Sequence, residues 1–238
     1  MRVILLAGGK GTRLYPYTVA IPKPLVPVGD LPIMEIIVDQ LRRAGATEIT
    51  VSIGHMGDIL RAFIGDGSKF GVKVSYVQES SPLGTVGPLK QLKDLPERFI
   101  LMNGDVLTDL DYAQFFAAHA ASGADVLIAS HRKEVPIDLG VMKCRDNVLV
   151  DYLEKPVEKF DVSMGIYSMK RSVLEHIPEN TYFDFPTLIR KLLDAKRPIH
   201  AWPYSGHWLD LGSPMDYEKA QQLFNDHREK FLPGKVKR

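Results

Sequence analysis

The sequence predicts a three-layer α/β fold on a mostly parallel mixed sheet, with a β-rich extension in its second half. Three observations predict it. An all-apolar run, Val3-Ile4-Leu5-Leu6, breaks into Gly8, Gly9 and Gly11, as a strand buried on both faces does when it ends at a loop. Strand and helix patterns then alternate through the first half of the chain. Beyond it, short strand-like stretches follow one another without helices between them.

Taken in order, residues 3–6 supply the first strand. Pro16, Pro22, Pro24, Pro27 and Pro32 punctuate the next segment, so little regular helix can form there. Ile33, Ile36, Ile37, Leu41 and Ala44 share a helical face over residues 33–44, and Gly45 ends that helix. Residues 48–53 read as a strand, 58–64 as a short helix, and 72–77 and 98–102 as further strands. Asp111, with Gln114 at the third position, caps a helix whose Tyr112, Phe115, Phe116 and His119 share a face. Strands are expected at 124–130, 139–143, 148–154 and 162–169. Leu188, Ile189, Leu192 and Leu193 mark an amphipathic helix, and 199–203 a last strand. Ser213 and Pro214 open a final helix with Tyr217, Ala220 and Phe224 inward. From Lys230 the basic tail is expected to fray. No repeat, low-complexity tract or linker divides the chain, so a single domain over 1–238 is expected.

Glycines permit positive φ and carry no Cβ, so N–H groups at the end of the first strand can curl around an anion. Arg13 adds a fixed fork of donors suited to phosphate. Two better-known phosphate loops do not fit. The dinucleotide fingerprint puts Leu14 where its third glycine belongs, and the Walker loop needs Ser or Thr where Gly11 follows Lys10. The stretch reads as a nucleoside triphosphate grip, set against the plainer alternative of a structural turn. Lys23, between Pro22 and Pro24, is a candidate second phosphate contact, the alternative being a solvated surface lysine. In Asn103-Gly104-Asp105 the acid projects from a strand end, where it can hold a divalent cation, although N-G-D alone also describes a turn. Asp109 and Asp111 form a D-x-D that helix capping explains better than metal binding. His55, His131 and His207 have no ligand spacing and read as structural or solvated.

Composition narrows the classes. A formal net charge of +1 gives no field that argues for nucleic acid or a membrane. The single cysteine, Cys144, excludes an internal disulfide framework and argues against a thiolate metal cluster, so a cytoplasmic setting is expected. The apolar start is too short for a secretory leader, and no apolar run approaches the ~20 residues that span a bilayer. Homo-oligomer formation is left open.

Six motifs then occur in one order. They are Leu6-Ala7-Gly8-Gly9-x-Gly11-Thr12-Arg13-Leu14, Pro22-Lys23-Pro24-Leu25, Pro82-Leu83-Gly84-Thr85, Asn103-Gly104-Asp105, Glu154-Lys155-Pro156 and Trp208-Leu209-Asp210-Leu211-Gly212. By them the chain resembles the sugar-1-phosphate nucleotidylyltransferases (nucleotide-sugar pyrophosphorylases) over residues 1–223. It is most like the short mannose- and heptose-1-phosphate guanylyltransferases that lack the C-terminal left-handed β-helix of longer members. The resemblance implies a Rossmann-like nucleotide-binding half over about 1–130 and a sugar-binding half over about 131–223, with the C-terminal helix and tail at 214–238. It implies that Leu6, Ala7, Gly8, Gly9, Gly11 and Thr12 wrap the triphosphate, and that Arg13 and Lys23 hold phosphates in the transition state. The loop from Glu79 through Pro82 to Gly84 and Thr85 would face the base, with Asn103 and Gly104 completing the nucleotide site. Asp105 and Asp210 would share Mg²⁺. Gly140, Glu154, Lys155 and Ser163, together with Asp105 and Asp210, would meet the sugar and its phosphate.

The implied reaction, nucleotidyl transfer from an NTP to a hexose- or heptose-1-phosphate, matches the residue inventory. A sugar phosphate oxygen is already an anionic nucleophile, so no general base is needed and no Ser/His/Asp set is expected. Positioning and charge neutralisation do the work. Guanine presents two adjacent donors that Glu79 could accept, which favours GTP, with UTP or CTP as the alternative. Many relatives carry Asn where Ser163 stands, and Met164 follows it. That pair is expected to reshape the sugar pocket, away from plain mannose or glucose and toward a heptose or modified sugar. A competing class is a non-catalytic nucleotide-sugar-binding regulatory homologue.

Overall fold

The structure is a computed structural model that describes residues 1–78 and 83–235. β1 (Arg2–Ala7) leads through two 3-10 turns, Thr12–Leu14 and Lys23–Leu25, and a clip of β2 (Pro27–Val28) and β3 (Leu31–Pro32), into α1 (Ile33–Arg43). Next come β4 (Glu48–Ile53), α2 (Gly57–Ile64), β5 (Lys73–Gln78), β6 (Arg98–Asn103), β7 (Val106–Thr108) and α3 (Tyr112–Ser122). The second half holds β8 (Val126–Pro136), β9 (Val141–Arg145), β10 (Val148–Leu153) and β11 (Val157–Lys170). It ends with α4 (Phe185–Asp194), β12 (Ile199–Tyr204), β13 (Trp208–Asp210) and α5 (Pro214–Phe231).

Seven strands form the main sheet in the order β12-β8-β11-β6-β1-β4-β5. Only β11 runs against the rest, pairing antiparallel with both β6 and β8. β1 lies between β4 and β6, parallel to both. The chain builds outward from β1 to β4 and β5, then returns to β1's other flank with β6. Such a reversal of strand order opens a crevice at the carboxyl ends of the two strands.

Alternation along β1 explains the three layers. Val3, Leu5 and Ala7 join a core with Ile37 and Leu41 of α1, Leu60 of α2, Phe115 of α3 and Phe224 of α5. Ile4 belongs to a second core with Phe99 and Leu101 of β6 and Leu188 and Leu192 of α4. Four helices therefore cover one face and α4 the other. Each fully buried Leu, Ile or Phe contributes about 1.5–3 kcal/mol before chain entropy is counted. Asp111 caps α3 as expected, its carboxylate accepting from the Gln114 N–H at 2.9 Å. No helix among the described residues is long and apolar enough to cross a membrane.

Two expectations fail for physical reasons. β8 and β11 run well past residues 130 and 162 as a projecting antiparallel pair, in register to Val157 opposite Pro136. Neither side of this arm is covered, so its sequence lacks the apolar alternation of a packed strand. Directly opposed ion pairs brace it instead, Arg132–Asp161 at 2.7 Å and Lys159–Glu134 at 2.8 Å. Residues 230–235 are also docked where fraying was expected. Lys230 lies within α5, and Phe231 and Leu232 are 0% exposed. Gln40 Nε2 donates to the Phe231 carbonyl at 3.1 Å, and Arg43 Nη1 to that of Pro233 at 2.8 Å.

Candidate active site

β1 ends at Ala7, and its glycine loop curls back at once. Gly11 has φ +65°, and a Cβ there would stand 3.0 Å from Thr18 Cγ2 and 3.2 Å from Lys23 Cβ. Thr18 Oγ1 donates to the Gly11 carbonyl at 2.9 Å, and fully buried Leu14 anchors the far end of the turn. Gly104 sets the opposite wall. Its N–H donates to the Leu6 carbonyl at 2.9 Å, and a Cβ would sit at the same distance from that oxygen.

Between these walls lies a cavity of about 420 Å³. Of the residues expected at the nucleotide, it is lined by Leu6, Ala7, Gly8, Gly9, Gly11, Thr12, Arg13, Lys23, Gly84, Thr85, Asn103 and Gly104, and Asp105, expected at the metal and the sugar phosphate, lines it too. Glu79 and Pro82 lie outside the described residues. Leu14, Pro24, Ser52, Tyr182 and Gly212 also line it; Leu14, Pro24 and Gly212 belong to the motifs without an assigned role, and Ser52 and Tyr182 were missed. Ser52, buried near the carboxyl end of β4, alternates with apolar residues as Thr50 does, so polarity alone did not single it out. Tyr182, 62% exposed in a connecting segment, carried no signal.

Charge is concentrated at one end. Lys23 Nζ forms an ion pair with Asp105 Oδ2, while Asp105 Oδ1 is buried without a hydrogen-bond partner. Asp210 arrives from far along the chain through a small antiparallel ladder that sets Asp210 opposite Val106, Leu209 opposite Leu107 and Trp208 opposite Thr108. The Leu211 N–H then donates to the Asp105 carbonyl at 3.1 Å. Burial pushes the Asp210 carboxyl above the usual carboxylate range, and the nearby Asp105 charge adds to this. Lys23 and Arg13 pull it back, and Asp216 raises it further. Around Gly212 the three groups converge: a Cβ there would lie 3.2 Å from Asp210 Oδ2, 3.3 Å from Asp216 Oδ2 and 3.7 Å from Arg13 Nη1.

This donor set fits a hard divalent cation. Two mutually repelling carboxylates, one with a buried oxygen lacking a partner, gain from a shared positive charge. Mg²⁺ usually takes one or two protein carboxylates and completes its shell with water and phosphate oxygens.

Of the residues expected at the sugar phosphate, Asp105 lines the cavity, whereas Asp210, Gly140, Glu154, Lys155 and Ser163 are not among its lining residues, and Gly140, Glu154 and Lys155 lie in the segment between the two strands of the projecting arm. Gly140 faces Tyr152, whose hydroxyl would lie 1.8 Å from a Cβ there, and that hydroxyl donates to Glu154 Oε2 at 3.2 Å. Glu154 and Lys155 are exposed, Lys155 with φ 45°. Ser163, in β11, donates through Oγ to the Tyr167 hydroxyl at 3.2 Å and accepts from the Gly165 N–H at 3.3 Å. Met164 does not reshape a pocket as expected. It is 1% exposed in the main core, on the same side of β11 as Ile166, and is not among the residues lining the cavity.

A family model described as nucleotidyl transferase matches residues 2–227. The chain belongs to that family. It is 32% identical over 98% of its length to mannose-1-phosphate guanyltransferase of Schizosaccharomyces pombe, covering 67% of that protein. It is also 32% identical to UTP–glucose-1-phosphate uridylyltransferase of Synechocystis, over 92% of the chain and 62% of that protein. Against these relatives the chain therefore spans about two thirds of their length or somewhat less. Among solved structures, HddC from Yersinia pseudotuberculosis complexed with GMP-PN superposes with a TM-score of 0.71 at 26% identity, over 94% of this chain and 99% of that one. In this nucleotidyl transferase, as its topology requires, the cavity opens where β1 and β6 end.

Proposed function

We propose that this nucleotidyl transferase condenses a nucleoside triphosphate, GTP foremost, with a hexose- or heptose-1-phosphate to give a nucleoside diphosphate sugar and pyrophosphate. The observation that carries this is the Lys23–Asp105 ion pair in a glycine-walled cavity that Arg13 also lines, with Asp210, itself not among the lining residues, close enough to feel the charges of all three. A sugar phosphate oxygen attacks the α-phosphorus, forming one P–O bond. The α–β bridging P–O bond breaks, and its electron pair leaves with pyrophosphate.

In this reading the backbone of Gly8, Gly9, Gly11 and Thr12 cradles the triphosphate, and Gly84, Thr85, Asn103 and Gly104 bound the nucleoside. Arg13 and Lys23 neutralise charge as it develops on the departing phosphates. Asp105 and Asp210 would hold Mg²⁺, which supplies Lewis-acid polarisation of the phosphates and offsets their mutual repulsion. Glu154, Lys155 and Ser163 remain the candidates for the sugar phosphate. GTP is favoured by the resemblance to guanylyltransferases and by the similarity to the guanyltransferase of S. pombe. The Synechocystis relative supports UTP as the second reading. Soluble nucleotide and sugar phosphate pools place the enzyme in the cytoplasm in this proposal.

A matrix of nucleoside triphosphates against sugar-1-phosphates, scored by pyrophosphate release with and without Mg²⁺, tests it. Release in GTP wells containing a mannose- or heptose-type phosphate is expected. No release in any well overturns the catalytic reading in favour of a nucleotide-sugar-binding protein.

A further inference from the structure

The ladder that brings Asp210 to Asp105 is only three residue pairs long, too short to fix its own register. A one-residue slip would turn Asp210 to the opposite face. Something beyond the ladder must hold it, and Asp109 stands directly after β7. Asp109 Oδ1 accepts from the His207 backbone N–H at 2.7 Å and also from the Tyr204 hydroxyl. Asp109 Oδ2 lies 2.7 Å from His207 Nδ1. The carboxylate can only accept, so Nδ1 carries the proton in that contact. Thr108 Oγ1 donates to the His207 carbonyl at 2.7 Å. Gly206 is part of the same arrangement: a Cβ there would stand 2.1 Å from the Tyr204 hydroxyl oxygen and 2.8 Å from Asp109 Oδ1.

We propose that Asp109 and His207 are positioning residues, a register lock that holds β13 on β7 so that the Asp210 carboxylate meets Asp105. The D-x-D and the histidine, read from the sequence as capping and structural residues, thereby divide. Asp111 caps α3, while Asp109 serves the carboxylate pair. The inference rests on the metal site of the proposed function, and it concerns how this chain builds that site.

Mn²⁺ titration of the full chain, followed by the electron paramagnetic resonance of the free ion, tests it together with amide exchange over residues 206–212. Asp109→Ala is expected to weaken Mn²⁺ binding on the order of 10- to 100-fold, the usual range for an outer-shell partner, and to speed exchange along the ladder. Asp109→Asn keeps acceptors for the His207 N–H and Tyr204 and offers an amide donor to Nδ1, so it is expected to restore both. In an Asp210→Asn background, Asp109→Ala is expected to make no further difference to Mn²⁺. Wild-type Mn²⁺ affinity in Asp109→Ala overturns the lock, as does an Asp109→Asn chain that falls as far as the alanine. If Asp210→Asn leaves Mn²⁺ affinity unchanged, the metal reading itself fails. Ladder exchange then judges the lock alone, and unchanged protection in Asp109→Ala overturns it. Should Asp109→Ala not fold, His207→Ala removes the side-chain bond and carries the same expectations at smaller size.

Discussion

Lys23 Nζ is paired with Asp105 Oδ2 although the two residues stand 82 positions apart, and their side chains are only 13% and 17% exposed. The pair ties the proline-pinned segment after the glycine loop to the strand end beyond β6. Breaking a fully buried pair from one side costs about 3–5 kcal/mol, and residual exposure makes the figure smaller here. Lys23→Met is therefore expected to lower Tm and to lower kcat about 100-fold or more. Part of the Tm loss should return on adding Mg²⁺, because Asp105 regains a positive partner. Thermal unfolding with and without Mg²⁺ checks this, and an equal Tm loss in both would count against it.

Arg13 contributes no ion pair to the free protein among the described contacts, and it lines the cavity. Arg13→Ala is expected to reduce kcat on the order of 10²-fold, as for one lost preorganised donor, with Tm nearly unchanged. Steady-state kinetics beside a melting curve separates the two effects, and an unchanged kcat removes Arg13 from the mechanism.

Asp210 is held in an environment that resists its charge, through burial and the neighbouring Asp105. Asp210→Asn should abolish Mg²⁺-dependent turnover while leaving Tm equal or higher in Mg²⁺-free buffer. The site thus gives up stability for function. A marked fall in Tm would show that Asp210 is a folding residue instead.

Gly165 has φ +73°, and a Cβ there would stand 2.6 Å from Asn103 Nδ2. Gly165→Ala combines left-handed strain with displacement of a cavity-lining side chain. A loss of about 1–3 kcal/mol, a few degrees in Tm, and a raised KM for the nucleotide are expected. A raised KM for the sugar phosphate alone would reassign Asn103.

His119 is 1% exposed, with Nδ1 2.7 Å from Ser168 Oγ and Nε2 3.0 Å from the Ala124 carbonyl. Burial holds its pKa below the ordinary 6.5. The neutral ring is the native form, so its contribution is complete above the unfolded pKa. It is lost as pH falls below about 6.5 toward the lower folded value, because only the unfolded chain takes up the proton there. Urea unfolding of wild type and His119→Gln should show the wild type losing more stability between pH 7.5 and 5.5.

Much of this molecule was legible in its sequence because strand-end loops are written in glycine, proline and acid. The expected strand at 48–53 coincides with β4, and Asp111 and Ser213 cap the helices they were assigned. Gly8 to Arg13 and Asp105 were found because local chemistry singles them out. Asp210 was singled out only through its motif, since no periodicity links it to a residue a hundred positions earlier. Tyr182 and the Asp109–His207 contact were missed because they depend on which loops fold back upon which strands. Met164 was misassigned because nothing local to it shows that its side of β11, shared with Ile166, faces the main core.

The central place of β1 has a consequence for synthesis on the ribosome. Val3 pairs in register with Ile49 on one flank and Ile100 on the other, so β1 waits for some hundred residues before its second neighbour emerges. The acid on β13 comes later still. A nascent chain can thus close its glycine loop early, yet Asp105 and Asp210 can come together only after residue 210 has been made.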